Sequence, residues 1–125
     1  MPSYKDKLAE LKRVDRETYD LFLEDLMSIT YGDGNDCPDV DDPIGQALLL
    51  NQLIICIQER RKWGWSVHGD DPKKFINSAQ ITTGYYEKWV DGKKRNWPET
   101  REGDGHTPAS ALLDAYLATL RAGFV

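Results

Sequence analysis

Cysteine and histidine are scarce in this chain, two of each in 125 residues, and several chemistries fall away with them. Two cysteines make no disulfide framework, so Cys37 and Cys56 are expected to be reduced thiols of a cytoplasmic protein. A structural zinc site wants four Cys or His ligands at short spacing, and Cys37, Cys56, His68 and His106 form no such pattern. No P-loop, dinucleotide-type glycine turn or Ser-His-Asp order is present. Gly103-Asp-Gly-His106 reads as a turn. With no complete catalytic set, a non-enzymatic role is expected, with no catalytic residue, metal or cofactor assigned.

Long apolar runs are missing too. A membrane-spanning helix needs about 20 consecutive apolar residues, and the richest stretch, Ala47 to Ile57, is broken by Asn51 and Gln52. The first residues, Met-Pro-Ser-Tyr-Lys-Asp-Lys, hold no apolar segment of the signal-peptide kind. Positive charge is outnumbered: 16 Lys and Arg against 21 Asp and Glu give a net charge of −5 and a pI near 5.0. That balance argues against non-specific binding to nucleic acid or to an anionic membrane.

What is present points to helices. Asp42 followed by Pro43 suits an N-cap and first helical position, and the residues after it are apolar nearly all round, so this helix must be covered on most sides. The expected fold is all-α: a compact five-helix single domain, residues 1–125, around a central apolar helix at about 43–62. Ser3 and Asp6 read as a capping box opening the first helix. Asp15 caps a second, running to about Thr30, with Tyr19, Phe22, Leu26 and Ile29 on its inner stripe. A fourth helix is expected from Pro72 to Val90, with Tyr86 and Trp89 inward, although Ile81-Thr-Thr-Gly-Tyr85 is poor helix sequence. Asp91-Gly92 ends it, and residues 92–107 read as a long polar loop. Thr107-Pro108 opens the last helix, with Gly123 at its C-cap.

Charge is polarised along the chain. Ten acids and one base lie between Asp15 and Asp42, and ten bases lie between Arg60 and Arg101. The loop acids Asp33, Asp36, Asp39, Asp41 and Asp42 do not match a calcium-binding loop, because the mid-loop glycine is absent and Ile44 stands where the bidentate glutamate belongs. They are candidates for docking on a protein partner with a basic surface. A second candidate surface combines bases with aromatics: Arg60, Arg61, Lys62, Trp63, Trp65, His68, Lys93, Lys94, Arg95 and Trp97. Basic residues beside aromatic faces suit a phosphorylated ligand or a single nucleic-acid strand. The expected function is that of a helical interaction protein, a regulator or inhibitor docking on another macromolecule. The alternative is a nucleotide or phosphorylated small-molecule module. Glu59-Arg-Arg-Lys-Trp-Gly64 with Leu112-Leu-Asp114 faintly resembles the all-α nucleotide pyrophosphohydrolases. The resemblance implies Mg²⁺ held by two pairs of acids, but Gln80-Ile-Thr-Thr83 and Ala111-Leu-Leu-Asp114 retain one carboxylate of four.

Overall fold

The computed structural model describes residues 2–29, 38–69 and 76–124. These form four α-helices, α1 (Tyr4–Val14), α2 (Arg16–Met27), α3 (Pro43–Ile55) and α4 (Pro108–Arg121), with strands β1 (Gly64–Gly69), β2 (Asn77–Val90) and β3 (Lys93–Gly105). The strands make one antiparallel sheet in the order β1-β2-β3. The architecture is mixed helix and sheet, so the all-α five-helix bundle is overturned. No helix among the described residues is long and apolar enough to cross a membrane.

The helical half follows its sequence signals. The Ser3 hydroxyl accepts from the Asp6 N–H and the Asp6 carboxylate accepts from the Ser3 N–H, closing the capping box. Asp15 caps α2 by accepting from the Thr18 N–H at 3.3 Å. Pro43 opens α3, which continues into a π-helical turn, Cys56–Arg60, so the central helix ends by widening. The Arg61 N–H donates to the Cys56 carbonyl at 2.8 Å and the Trp63 N–H to the Ile57 carbonyl at 2.9 Å, with Lys62 between them at φ +60. In α4 the Thr107 hydroxyl accepts from the Ser110 N–H, and Gly123 has φ +96 beyond the C-terminus.

Strand β2 occupies residues 77–90 of the expected fourth helix, whose first residues, 72–75, lie outside those described, and β3 occupies 93–105 of the expected 92–107 loop. β2 and β3 are joined by Asp91 and Gly92, both at positive φ (51 and 75), the conformation a two-residue antiparallel hairpin requires. Asp91-Gly92 is therefore a strand connection, not a helix stop. Tyr86 and Trp89, expected inward, are exposed. The pyrophosphohydrolase resemblance fails on the same ground, because Gln80–Thr83 lies in a strand and not on a metal-binding helix.

One face of the sheet carries the helices. Ala79 and Ile81 of β2 are buried with Leu8, Leu11, Phe22, Leu49, Leu53, Ile57, Leu112, Leu113, Tyr116 and Leu117. Gly103 and Gly105 let α4 lie almost against β3: a Cβ at Gly103 would stand 2.1 Å from the Ala115 nitrogen. The opposite face presents Ser66, His68, Ser78, Gln80, Thr82, Glu102 and Asp104 by register. An antiparallel sheet packed on one side alternates in this way.

Candidate functional site

β2 and β3 are much longer than β1. Gly64 of β1 pairs with Thr82, so β2 beyond that point pairs with β3 alone. Residues 84–90 and 93–99 thus form a two-stranded ribbon, reaching about 20 Å from the sheet at roughly 3.4 Å per residue. Its base is anchored where Arg101 packs over the Phe124 ring at 5.5 Å and pairs with Glu99 at 3.2 Å.

The register sorts the ribbon into two unlike faces, because residues directly opposite across an antiparallel pair share a face. Tyr86 pairs with Trp97, Lys88 with Arg95 and Val90 with Lys93. From Tyr86 and Trp97 outward this face holds three bases and two aromatics, while Glu99, opposite Gly84, shares it at the ribbon's base and is paired with Arg101. Lys88 Nζ lies 5.9 Å from the Trp97 ring centre, a cation–π contact along the diagonal. The other face pairs Tyr85 with Pro98, Glu87 with Asn96 and Trp89 with Lys94, and the Lys94 ammonium meets Glu87 at 2.7 Å. A bulge explains how the basic face is aimed. The register shifts between Thr82 and Gly84, leaving Thr83 as the extra residue and switching the parity of β2. Tyr86 and Lys88 therefore join the side of the sheet that Ala79 and Ile81 occupy.

Aromatic exposure is concentrated here. Tyr85 is 74 % exposed, Trp89 70 %, Tyr86 46 % and Trp97 41 %, four of the seven exposed large hydrophobic residues among those described. Sequence reasoning named Lys93, Lys94, Arg95 and Trp97 and missed Tyr85, Tyr86, Lys88 and Trp89, which it had put inside a helix. Asp91-Gly92 directly after the β-branched and aromatic run from Ile81 to Val90 was the available signal.

The remaining basic and aromatic candidates lie elsewhere, and of them Arg61, Trp63 and Trp65 are half-buried while Arg60, Lys62 and His68 are exposed. Arg60 Nη2 donates to Thr18 Oγ1 at 2.9 Å, and Arg61 Nη2 donates to the Tyr116 hydroxyl at 3.0 Å. Tyr116 donates to Asp15 Oδ2 at 2.5 Å, and the Thr18 hydroxyl donates to the same oxygen at 2.7 Å. The Cys56 sulfur lies 3.2 Å from the Tyr116 oxygen. Burial alone would raise the Asp15 carboxyl; hydrogen bonds from Tyr116 and Thr18, with Arg61 beside it, hold it below its ordinary value. Burial and the Asp15 hydrogen bond push the Tyr116 phenol well up. These groups satisfy one another and tie the α1–α2 junction and the π-helical turn to α4. Trp63 packs at 6.3 Å from Tyr116, and the half-buried Trp65 donates to Gln58 Oε1 at 3.0 Å. His68 is exposed on the open sheet face, and Lys62 with Trp65 lines a cavity of about 380 Å³ beside Thr82 to Tyr85. Arg60, Arg61 and His68 do not join them there, so the phosphate-binding set is not assembled.

Of the acidic candidates, Asp33 and Asp36 lie outside the described residues. The carboxylate oxygens of Asp39, Asp41 and Asp42 lie within 4.8 Å of one another. Asp42 accepts from the Asp39 N–H at 3.1 Å and Lys5 lies 3.9 Å from Asp41, so this turn is bound up with its own backbone and with α1. A feature invisible in the sequence is Lys7, buried with its ammonium donating to the Asp104 carbonyl at 2.9 Å and to Ser110 Oγ at 3.1 Å. It borders a cavity of about 330 Å³ with Tyr4, Gln46, His106 and Thr107. Its hydrogen bonds join α1 to β3 and α4, and a buried ammonium held by carbonyl, hydroxyl and the Asp114 carboxylate at 3.8 Å is a structural cross-brace. Comparison with protein-family models, with curated proteins and with solved structures returns no match.

Proposed function

We propose that this protein works by docking on another macromolecule and that the β2–β3 ribbon is its docking element. One observation carries the reading: four large aromatic side chains are held in solvent on a projecting ribbon that also carries Lys88, Lys93, Lys94 and Arg95. Tyr, Trp and Arg are the residues that dominate binding energy at macromolecular interfaces. Small-molecule sites, by contrast, are concave and enclose their ligand, and a ribbon two strands wide encloses nothing.

The division of labour follows from the chemistry. Bases along the ribbon speed encounter with an anionic surface and make association sensitive to salt. The aromatics supply apolar area that becomes buried on contact and slow dissociation. Hairpin pairing presets the side chains, so little ordering entropy is lost on binding.

Capture of partners from the native host with the wild-type chain and with a variant carrying Tyr86→Ser, Trp89→Ser, Lys93→Ser and Arg95→Ser tests this. All four side chains project from the ribbon, so the variant should melt like the wild type while its specific partner is lost. Retention of the same partner at the same yield would overturn the ribbon reading.

A further inference from the structure

We infer that the occupant of the ribbon's basic face is a single-stranded nucleic acid, lying across Tyr86, Trp97, Lys88, Arg95 and Lys93. The inference rests on the ribbon-docking reading and names its partner. Three features of the face favour a polynucleotide over an acidic protein.

The first is the sign of the charge. From the Tyr86–Trp97 pair to the tip this face carries Lys88, Lys93 and Arg95; Glu99, which shares the face at the ribbon's base opposite Gly84, is paired with Arg101 at 3.2 Å, and Glu87 sits on the opposite face with Lys94. A protein interface mixes charges and buries an apolar centre; a row of cations with flanking rings matches a row of phosphates with flanking bases. The second is spacing. Residues two apart on one face are about 6.8 Å apart along the strand, and stacked nucleotides advance about 3.4 Å each, so successive side chains meet every second nucleotide. The third is the placement of rings and cations. Tyr86 and Trp97 face each other at the ribbon's base, beside a hollow of about 250 Å³ lined by Tyr86, Pro98, Glu99, Thr100 and Arg101. The cations continue toward the tip. A base stacked at the Tyr86–Trp97 pair leaves its chain running outward over Lys88, Arg95 and Lys93.

The whole-chain charge of −5 does not oppose this. Interactions between exposed charges are screened beyond about 8 Å at physiological ionic strength, and the ribbon tip stands roughly 20 Å from the sheet body by strand rise. A phosphate at Lys93 is governed by the ribbon's own charges, in which Lys88, Lys93, Lys94 and Arg95 outnumber Glu87, Asp91 and the Arg101-paired Glu99. The same positive face disfavours pairing of two ribbons from two copies, because like charges would meet directly.

Fluorescence anisotropy with a labelled thymidine oligonucleotide of about 20 nucleotides, and with a duplex of the same length, tests the assignment. The wild-type chain should bind the single strand in preference to the duplex, with quenching of tryptophan fluorescence. Three phosphate contacts give an affinity loss of roughly 20-fold between about 50 and 200 mM salt. In the Lys93→Gln, Arg95→Gln variant one contact remains, and the same salt change should weaken binding only about threefold. Trp97→Ala should weaken binding at least about fivefold, and Trp97→Tyr should restore most of it. Absence of single-strand binding by the wild-type chain overturns the inference, as does tighter binding of the duplex or an unchanged salt dependence in the double variant. Loss of a protein partner from the ribbon variant without any oligonucleotide binding would leave ribbon docking standing and remove the nucleic acid.

Discussion

The Tyr116 hydroxyl donates to Asp15 Oδ2 across 2.5 Å, joining the middle of α4 to the cap of α2 over 101 positions of sequence. Arg61, Thr18 and Cys56 converge on the same two side chains. Replacing Tyr116 by Phe leaves the ring and removes the hydroxyl, so Arg61 loses an acceptor and Asp15 a donor. The expected loss is about 1–3 kcal/mol, read from the urea midpoint at an unchanged slope. A midpoint equal to that of the wild type would show that the network contributes nothing to stability.

Asp15 also sets a pH dependence. Burial pushes its carboxyl up, but the hydrogen bonds from Tyr116 and Thr18 and the nearby Arg61 leave it below the ordinary 3.8. The unfolded chain therefore binds the proton first, so the stability that Asp15 contributes is complete above 3.8 and is lost as pH falls through the lower folded value. Glu10 is lowered in the same direction, chiefly by its hydrogen bond from Arg121. Chemical denaturation across the acid range should show stability falling with pH, and Asp15→Asn should flatten that fall without abolishing it. An equally steep fall in the variant would assign the dependence to other acids.

Two glycines on the sheet should respond in opposite ways to alanine. At Gly103 an added Cβ would meet the Ala115 nitrogen at 2.1 Å, the Asp114 carbonyl carbon at 2.7 Å and the Ala111 oxygen at 2.8 Å, all of them backbone of α4. Backbone cannot rotate away, so α4 must shift from the sheet, at a cost of about 3 kcal/mol. At Gly84 nothing lies within 4 Å of the added carbon, and Gly84→Ala should leave the melting temperature within a few degrees of the wild type. Comparable melting of the two variants would contradict the close α4–β3 packing.

The central helix yields a simpler test. Leu53 is wholly buried with Leu49, Ile57 and the apolar face of α4, so Leu53→Ala should destabilise by about 2–5 kcal/mol. An unchanged melting temperature would remove α3 from the centre of the core.

These residues show how far the sequence could be read. Ser3 with Asp6, Asp15, Asp42-Pro43 and Thr107-Pro108 located the starts of all four described helices, because capping is local chemistry that adjacent residues disclose. The strands left no such trace. β2 buries only Ala79 and Ile81 before it leaves the body as a ribbon with aromatics on both faces, so a period of two never develops. On β3 the positions against α4 are Gly103 and Gly105, chosen for close approach and carrying no apolar signal. The bulge between Thr82 and Gly84 then switches the parity of whatever alternation remained. Of the candidate site, the clustering of Lys93, Lys94, Arg95 and Trp97 was visible, being contiguous. Their meeting with Tyr86 and Lys88 depends on hairpin register. The partners of Arg60 and Arg61 were not legible, because nothing local reveals that the π-helical turn brings them to Thr18 and Tyr116.

The most direct test of the ribbon as docking element is amide hydrogen exchange of the wild-type chain, free and bound to the partner captured from its host. Protection gained on binding should be confined to residues 84–99, with the helices and β1 exchanging as in the free protein. Protection that appears instead on α2 and the Asp39–Asp42 turn, with 84–99 unchanged, would contradict the account and move the interface to the acidic side of the molecule.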